Sequence, residues 1–396
     1  MQATLSIPEA PAPQFSIRQA RGIVGDLFTP KRWIYWTDFL LSIGFGATLF
    51  AAVENSHRPG RLVDILCQAA GWDATGRYGL IAAMFFVHCL LFYRAALFTH
   101  ELVHLRRGAV PGFSVIWNLA CGIPFLMPSF LYHTHVHHHL RKHYATDGDG
   151  EYLPLAAGPT REIIAYLAQS LIIPILAVVR FGLLTPIAWL SPGIRRMVQQ
   201  RASSMIIDPT YVRPVPTPKQ LRLWRVQEAA CLAFIVGAAA ALMTGLLPWT
   251  WLIHAYLTGV TIITLNAVRT LGAHRYRHGG AETTFLEQLL DSVNYPRRPW
   301  LNELWAPVGL RYHALHHLFP LLPYHALGEA HRRLMAGLPD DSPYRQTVAE
   351  GLPSVLAELW RDARRGRVSP AALPGRPSRP PSPAATASDP PGGREI

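Results

Sequence analysis

Four apolar stretches, each close to the ~20 residues that cross a hydrocarbon core, constrain this chain most. They lie at about 33–53, 78–98, 229–247 and 249–271. In lipid a backbone must satisfy its own polar groups, and an uninterrupted apolar run does so as a helix. Trp33, Tyr35 and Trp36 open the first run as an interfacial aromatic group. Composition agrees. The 396 residues are 50% hydrophobic and only 16% charged, and mean hydropathy is +0.15, too apolar for an ordinary soluble domain. The expected fold is an all-α integral membrane protein with four transmembrane helices in two hairpins.

Two further apolar runs are interrupted. Residues 113–132 contain Pro124 and Pro128, and 163–190 contain Pro174, Arg180 and Pro186. They read as interfacial or re-entrant helices, lodged in protein so that their broken backbone is satisfied. Around them the chain divides into a cytosolic N-terminal segment (1–32), a transmembrane domain (33–275), a cytosolic helical cap (276–366) and a disordered Pro-rich tail (367–396). The opening MQATLSIPEAPAPQF lacks the layout of a cleaved signal peptide. The net charge of +12 does not point to nucleic acid, because the basic residues flank apolar runs. Arg106, Arg107, Arg141, Lys142, Arg195, Arg196 and Arg201 fit positive-inside topology, with both termini and the functional site cytosolic. A bacterial inner membrane is the expected location. Cys67, Cys89, Cys121 and Cys231 have no C-x-x-C spacing and read as small apolar residues.

Three histidine clusters sit beside these runs: His100-Glu101-Leu102-Val103-His104, His135-Val136-His137-His138-His139 and His313-Ala314-Leu315-His316-His317. At about 100° per residue on a helix, His135, His138 and His139 share an arc, as do His313, His316 and His317. His133 and His137 point away from the arc, so a structural role suits them better. His100 and His104 are stacked at i and i+4. His274 ends an apolar run just as His100 does. Asn266 and Thr270 precede it on nearly the same face, where they hold a water or orient an imidazole. His143 and Glu101 are further metal-proximal candidates. Asp147, Asp149 and Glu151 either orient histidines or form a solvated acidic turn. An isolated histidine is most often a satisfied core or surface residue; eight in three helically phased groups are not.

Eight or nine imidazoles exceed the needs of one zinc and suit two metals. Imidazole serves iron, zinc, copper and nickel alike. Iron is preferred, because a lipid-embedded catalyst has unactivated C–H bonds before it, and those need a redox metal with dioxygen. His100–His104 also matches H-E-x-x-H, in which Glu101 becomes the base of an intramembrane zinc protease; that reading leaves the other clusters unexplained. A non-catalytic membrane metal binder is the other different-class alternative.

At these residues the chain resembles the membrane fatty acid desaturase family, the di-iron enzymes with three histidine boxes. The boxes match His100 and His104, then His135, His138 and His139, then His313, His316 and His317. The additional histidine matches His274 in RTLGAHR, and HELVHLRRGAVPGF, HYATDGDGEYLPL and HHLFPLLPYHALGEAHRRL resemble bacterial members. The resemblance spans roughly 30–340. In animal members the asparagine comparable to Asn266 sits four residues before the histidine, where this chain has Thr270. The resemblance implies two non-haem irons, O2 as co-substrate, and desaturation of an acyl chain of a lipid or acyl thioester. Two electrons come from a separate, ferredoxin-like donor, since the sequence shows no flavin fingerprint, ferredoxin cysteines or haem motif. The alternative on the same metal site is a hydroxylase or ketolase of an alkane, carotenoid or sterol.

Overall fold

A computed structural model describes residues 16–366, so the tail expected at 367–396 lies outside the described residues. These residues are helical, with only isolated β-bridges and no strands. Four long helices build the frame: Arg32–Glu54, Ala74–His104, Pro218–Met243 and Trp249–Leu271. Their ends follow local chemistry. Asp73 caps the second helix by accepting from Gly76 N. Thr217 and Gln220 form a capping box on the third, with Pro218 at its start. Large apolar side chains such as Phe45, Phe86, Val236, Leu246 and Ile253 remain exposed. A soluble protein does not display such a belt; lipid covers it here. The protein is an all-α integral membrane protein.

The second helix has 31 residues, about 46 Å at 1.5 Å per residue. That exceeds the ~30 Å hydrocarbon core, so its last turns project and carry His100 and His104. The first helix packs closely along it: a Cβ on Gly46 would stand 2.6 Å from the Phe92 ring. At the histidine end the two are tied by Tyr35 Oη donating to Glu101 (2.5 Å) and by Arg94 on Asp38 (2.6 Å). Arg94 also reaches Glu303, and Tyr324 Oη donates to Asp38, which joins the following cap to the bundle.

By length and composition a fifth segment, Ile173–Leu190, is also apolar enough to cross a bilayer, one more than the four runs expected. Its contacts show a path that goes in and returns. Ala156 N bonds Tyr276 O on the histidine side. Ser170 then meets Thr264, and the Leu171 carbonyl accepts from Tyr256 on the fourth helix. The return runs along the third helix, with Gly182 against Ile235 and Arg180 on Glu228 (2.5 Å). Arg213 finally donates to Phe130 O, back beside the second histidine cluster. Pro174 and Pro186 each sit in the first turn of a helical piece, with a π-helical joint, Val179–Leu184, between the pieces.

Candidate metal centre

The structure gathers all nine histidines into two adjacent groups: His100, His104, His135, His139 and His316, and His138, His274, His313 and His317. Only His104 and His139 are partly exposed; the rest are buried. Four elements meet here. The second helix supplies His100 and His104, and His274 follows the end of the fourth. The single turn His135–His138 and the short helix His313–Leu318 supply the others. Asn294, fully buried, anchors the last of these by accepting from Leu315 N and donating to Thr347 Oγ1.

Each His-x-x-His-His cluster is divided between the groups. In the second cluster His135 and His139, at i and i+4, join the first group, while His138 faces the second. In the third cluster His313 and His317 join the second group, while His316 faces the first. The two clusters therefore cross over. The shared arc read from the sequence spans both metal positions rather than one. The groups touch, with the His139 and His317 rings 4.3 Å apart between centroids.

Does a metal fit? Two nitrogens on one ion, each about 2.0–2.1 Å from it, stand roughly 3.0–3.4 Å apart. Here Nε2–Nε2 distances are 2.9 Å for His135–His139, 3.0 Å for His138–His274, 2.9 Å for His274–His313 and 3.1 Å for His139–His316. Proton placement strengthens the case. His138 Nδ1 donates to Asp149 (2.8 Å), which leaves Nε2 as a bare lone pair. Tyr144 Oη donates to Asp291 (2.6 Å), so its oxygen accepts from His274 Nδ1 (3.0 Å), and His274 Nε2 is bare too. With both rings neutral these lone pairs face each other 3.0 Å apart, so a metal ion, or a proton kept on His138 by Asp149, has to lie between them. His100 Nδ1 and Nε2, His104 Nε2, His139 Nδ1 and His313 Nδ1 are buried without a hydrogen-bond partner.

Burial, aided by neighbouring imidazoles, holds His135, His139, His274, His313, His316 and His317 well below the ordinary histidine range. They are neutral, as metal ligands must be. Burial also disfavours charged His138, but the Asp149 carboxylate outweighs it and raises that ring. Burial pushes Glu151 up to about 8. It lies 2.8 Å from His135 Nδ1, and the two share one proton.

Of the other residues singled out in the sequence, Asp149 holds His138, as just described. Glu101 turns to Tyr35 and to Tyr324 N instead of to either group, which removes the base needed by the zinc-protease reading. Asn266 accepts from Arg269, and Thr270 offers its carbonyl to Tyr276; neither belongs to a group. His143 packs against His137, outside both. Asp147 is exposed. Sequence reasoning missed Tyr144, Tyr152 and Asp291, the network that holds His274. Asp291 lies 17 residues beyond His274 in no motif, so nothing in the sequence marked it. Asp149→Asn is expected to weaken metal binding at the His138 group by about 10–100-fold, with the other group unaffected. Iron titration of the variant checks this.

The model of the fatty acid desaturase family matches residues 76–348, which contain every one of these histidines. The chain belongs to the fatty acid desaturase family. A ceramide hydroxylase of Caulobacter vibrioides (strain NA1000 / CB15N) is 37% identical over 355 residues, covering 88% of this chain and 94% of that protein. No solved structure matches. Membership makes the chain an oxidoreductase of the membrane desaturase and hydroxylase class. That class is di-iron, works in a membrane and acts on lipid, and the two imidazole groups are of a kind that can hold its metals.

Proposed function

We propose that this protein is a di-iron, O2-dependent hydroxylase of an N-acyl lipid of the ceramide type. The observation that carries hydroxylation is the likeness to a ceramide hydroxylase over nearly the full length of both chains. The reaction balances as R–H + O2 + two electrons + two protons giving R–OH + water. Bound iron supplies the redox chemistry that an unactivated C–H bond requires. The chain's own part is to hold neutral imidazoles in two touching groups, to fix His138 through Asp149 and His274 through Tyr144, and to bury the site against water. The five-imidazole group opens toward solvent at His104 and His139. Exposed Arg106, Arg107, Arg141 and Lys142 follow these two residues in sequence, and favour an external acidic electron donor of the ferredoxin kind. By the positive-inside rule the same basic residues support a cytosolic site and cytosolic termini at a bacterial inner membrane.

Desaturation is the second reading, favoured by the family whose model the chain matches. It uses the same O2 and electrons but removes two hydrogens and releases two waters. Expression in a host that makes ceramide, followed by lipid mass spectrometry, decides between them. A product heavier by one oxygen atom is expected. A product lighter by two hydrogens, with no oxygenated species, supports the second reading and sinks the first.

A further inference from the structure

Among the described residues three arginines are buried: Arg180, Arg213 and Arg269. Arg213 donates to the Phe130 and Ser203 carbonyls; the other two contrast more sharply. Arg180 is ion-paired and well served: it donates to Glu228, the Ala202 carbonyl, Thr185 Oγ1 and Ser203 Oγ. Arg269 is 6% exposed, yet among the described residues no carboxylate lies within ion-pair distance of it. Its Nη2 donates to Asn266 Oδ1 at 2.9 Å, and the Tyr93 hydroxyl faces it. Its Nε is buried with no partner. A guanidinium has five N–H donors in a fixed fork and no means of losing its charge. Leaving one buried donor unpaired costs about 1–3 kcal/mol, more for a charged group. Arg180 has a carboxylate and three further acceptors, whereas Arg269 has no carboxylate and an idle buried Nε, which leaves it open to a ligand.

Its position says which ligand. Arg269 lies in the last turn of the fourth long helix, five residues before His274, on the membrane side of the metal groups. It is within electrostatic reach of His100 in one group and of His274 and His313 in the other. The phenols of Tyr93, Tyr132, Tyr166 and Tyr276 lie within electrostatic reach of it, and Tyr132 stacks on His135 with ring centroids 4.6 Å apart. Glu151 feels its charge without touching it. A polymethylene chain threaded past the metals would offer this guanidinium nothing. A carbonyl oxygen offers an acceptor of the right kind.

Resting on the hydroxylase reading above, we propose that Arg269 is a substrate-binding residue: its unpaired Nε–H holds the acyl carbonyl of the N-acyl lipid beside the metal pair. The oxidised carbon then lies within a few bonds of that carbonyl instead of in the middle of the chain. The nearby phenols suit the polar end of the lipid, and the apolar remainder would run down among the membrane helices.

The test compares binding of a ceramide with that of its thioamide counterpart, whose sulfur accepts hydrogen bonds weakly. Affinities are measured on the full-length, iron-loaded protein in detergent without reductant, so that no turnover occurs. The wild type is expected to prefer the amide by about ten-fold or more, the worth of one hydrogen bond to a charged group. Arg269→Gln should bind the amide correspondingly more weakly and lose the preference, and Arg269→Lys should recover part of it. Equal affinity of the wild type for both lipids overturns the proposal, and needs no variant to fold. So does a hydroxyl placed at mid-chain in the product. A wild type that binds and hydroxylates ceramide without discriminating the carbonyl refutes the arginine's role alone. A wild type that neither binds nor hydroxylates ceramide refutes the hydroxylase reading and this proposal together.

Discussion

Replacing His138 with alanine is expected to empty one metal position, and replacing its neighbour His139 is expected to empty the other. The two residues are adjacent in the chain but belong to different groups. His138 serves a group of four imidazoles, whereas His139 serves one of five. Iron content should fall by about half in each variant, because a coordination set missing a ligand loses much of its binding energy. Turnover should vanish in both, since O2 chemistry at a paired centre needs both ions. Mössbauer spectra of the two variants should then show different single-iron environments. His316→Ala should resemble the His139 variant, and His313→Ala the His138 variant, because the third cluster is crossed in the opposite sense. Identical residual spectra from the His138 and His139 variants would contradict the division of the clusters. None of the four replaced histidines lies on a long helix, so the spans should persist and the variants should still insert in membranes.

Arg180→Leu is expected to destabilise the protein by about 3–5 kcal/mol, because Glu228 is left buried without its counter-charge. Glu228 is 8% exposed and its partner lies 2.5 Å away. The pair fastens the in-and-out segment to the third long helix. Arg180 also holds the Ala202 carbonyl and Ser203, and Arg213 beside them donates to Phe130 O, close to the second cluster. The variant should therefore loosen the metal centre as well as the bundle. Replacing both partners with leucine should recover most of the loss, since an apolar pair of similar volume avoids the desolvation penalty. Unfolding midpoints in detergent measure both. If the double variant is as unstable as the single one, the ion pair is not the cause, and the hydrogen bonds to Ala202 and Ser203 carry the stability instead.

The apolar runs at 33–53, 78–98, 229–247 and 249–271 made the four long helices legible, because a hydrophobic stretch of bilayer length has few alternatives. The breaks at Pro174 and Pro186 marked the segment that departs from them. Length and composition alone would have made it a fifth span; the prolines read it as interfacial or re-entrant, and the contacts of Leu171 with the fourth helix and Arg180 with the third give its path. The nine histidines were likewise legible as a set. Helical phase placed them on common faces but gave no reason to assign His138 and His139 to different ions, since the turn they share is only four residues long, His135–His138.

The residues that hold the imidazoles were mostly illegible. Asp149 follows its histidine closely in the chain and was visible as a candidate. Asp291 and Tyr144 meet His274 only because the cap folds back over the membrane helices through the His274–Ser292 bridge. Arg269 looked like one more basic residue at a helix end. Composition and periodicity by themselves determined a membrane-embedded helical protein with metal-binding histidines, because burial in lipid and ligand type are properties of residues taken locally. The tertiary structure alone decided which histidines gather in one group, which residues hold them and which buried cation lacks a carboxylate, because those depend on distances between atoms far apart in the chain.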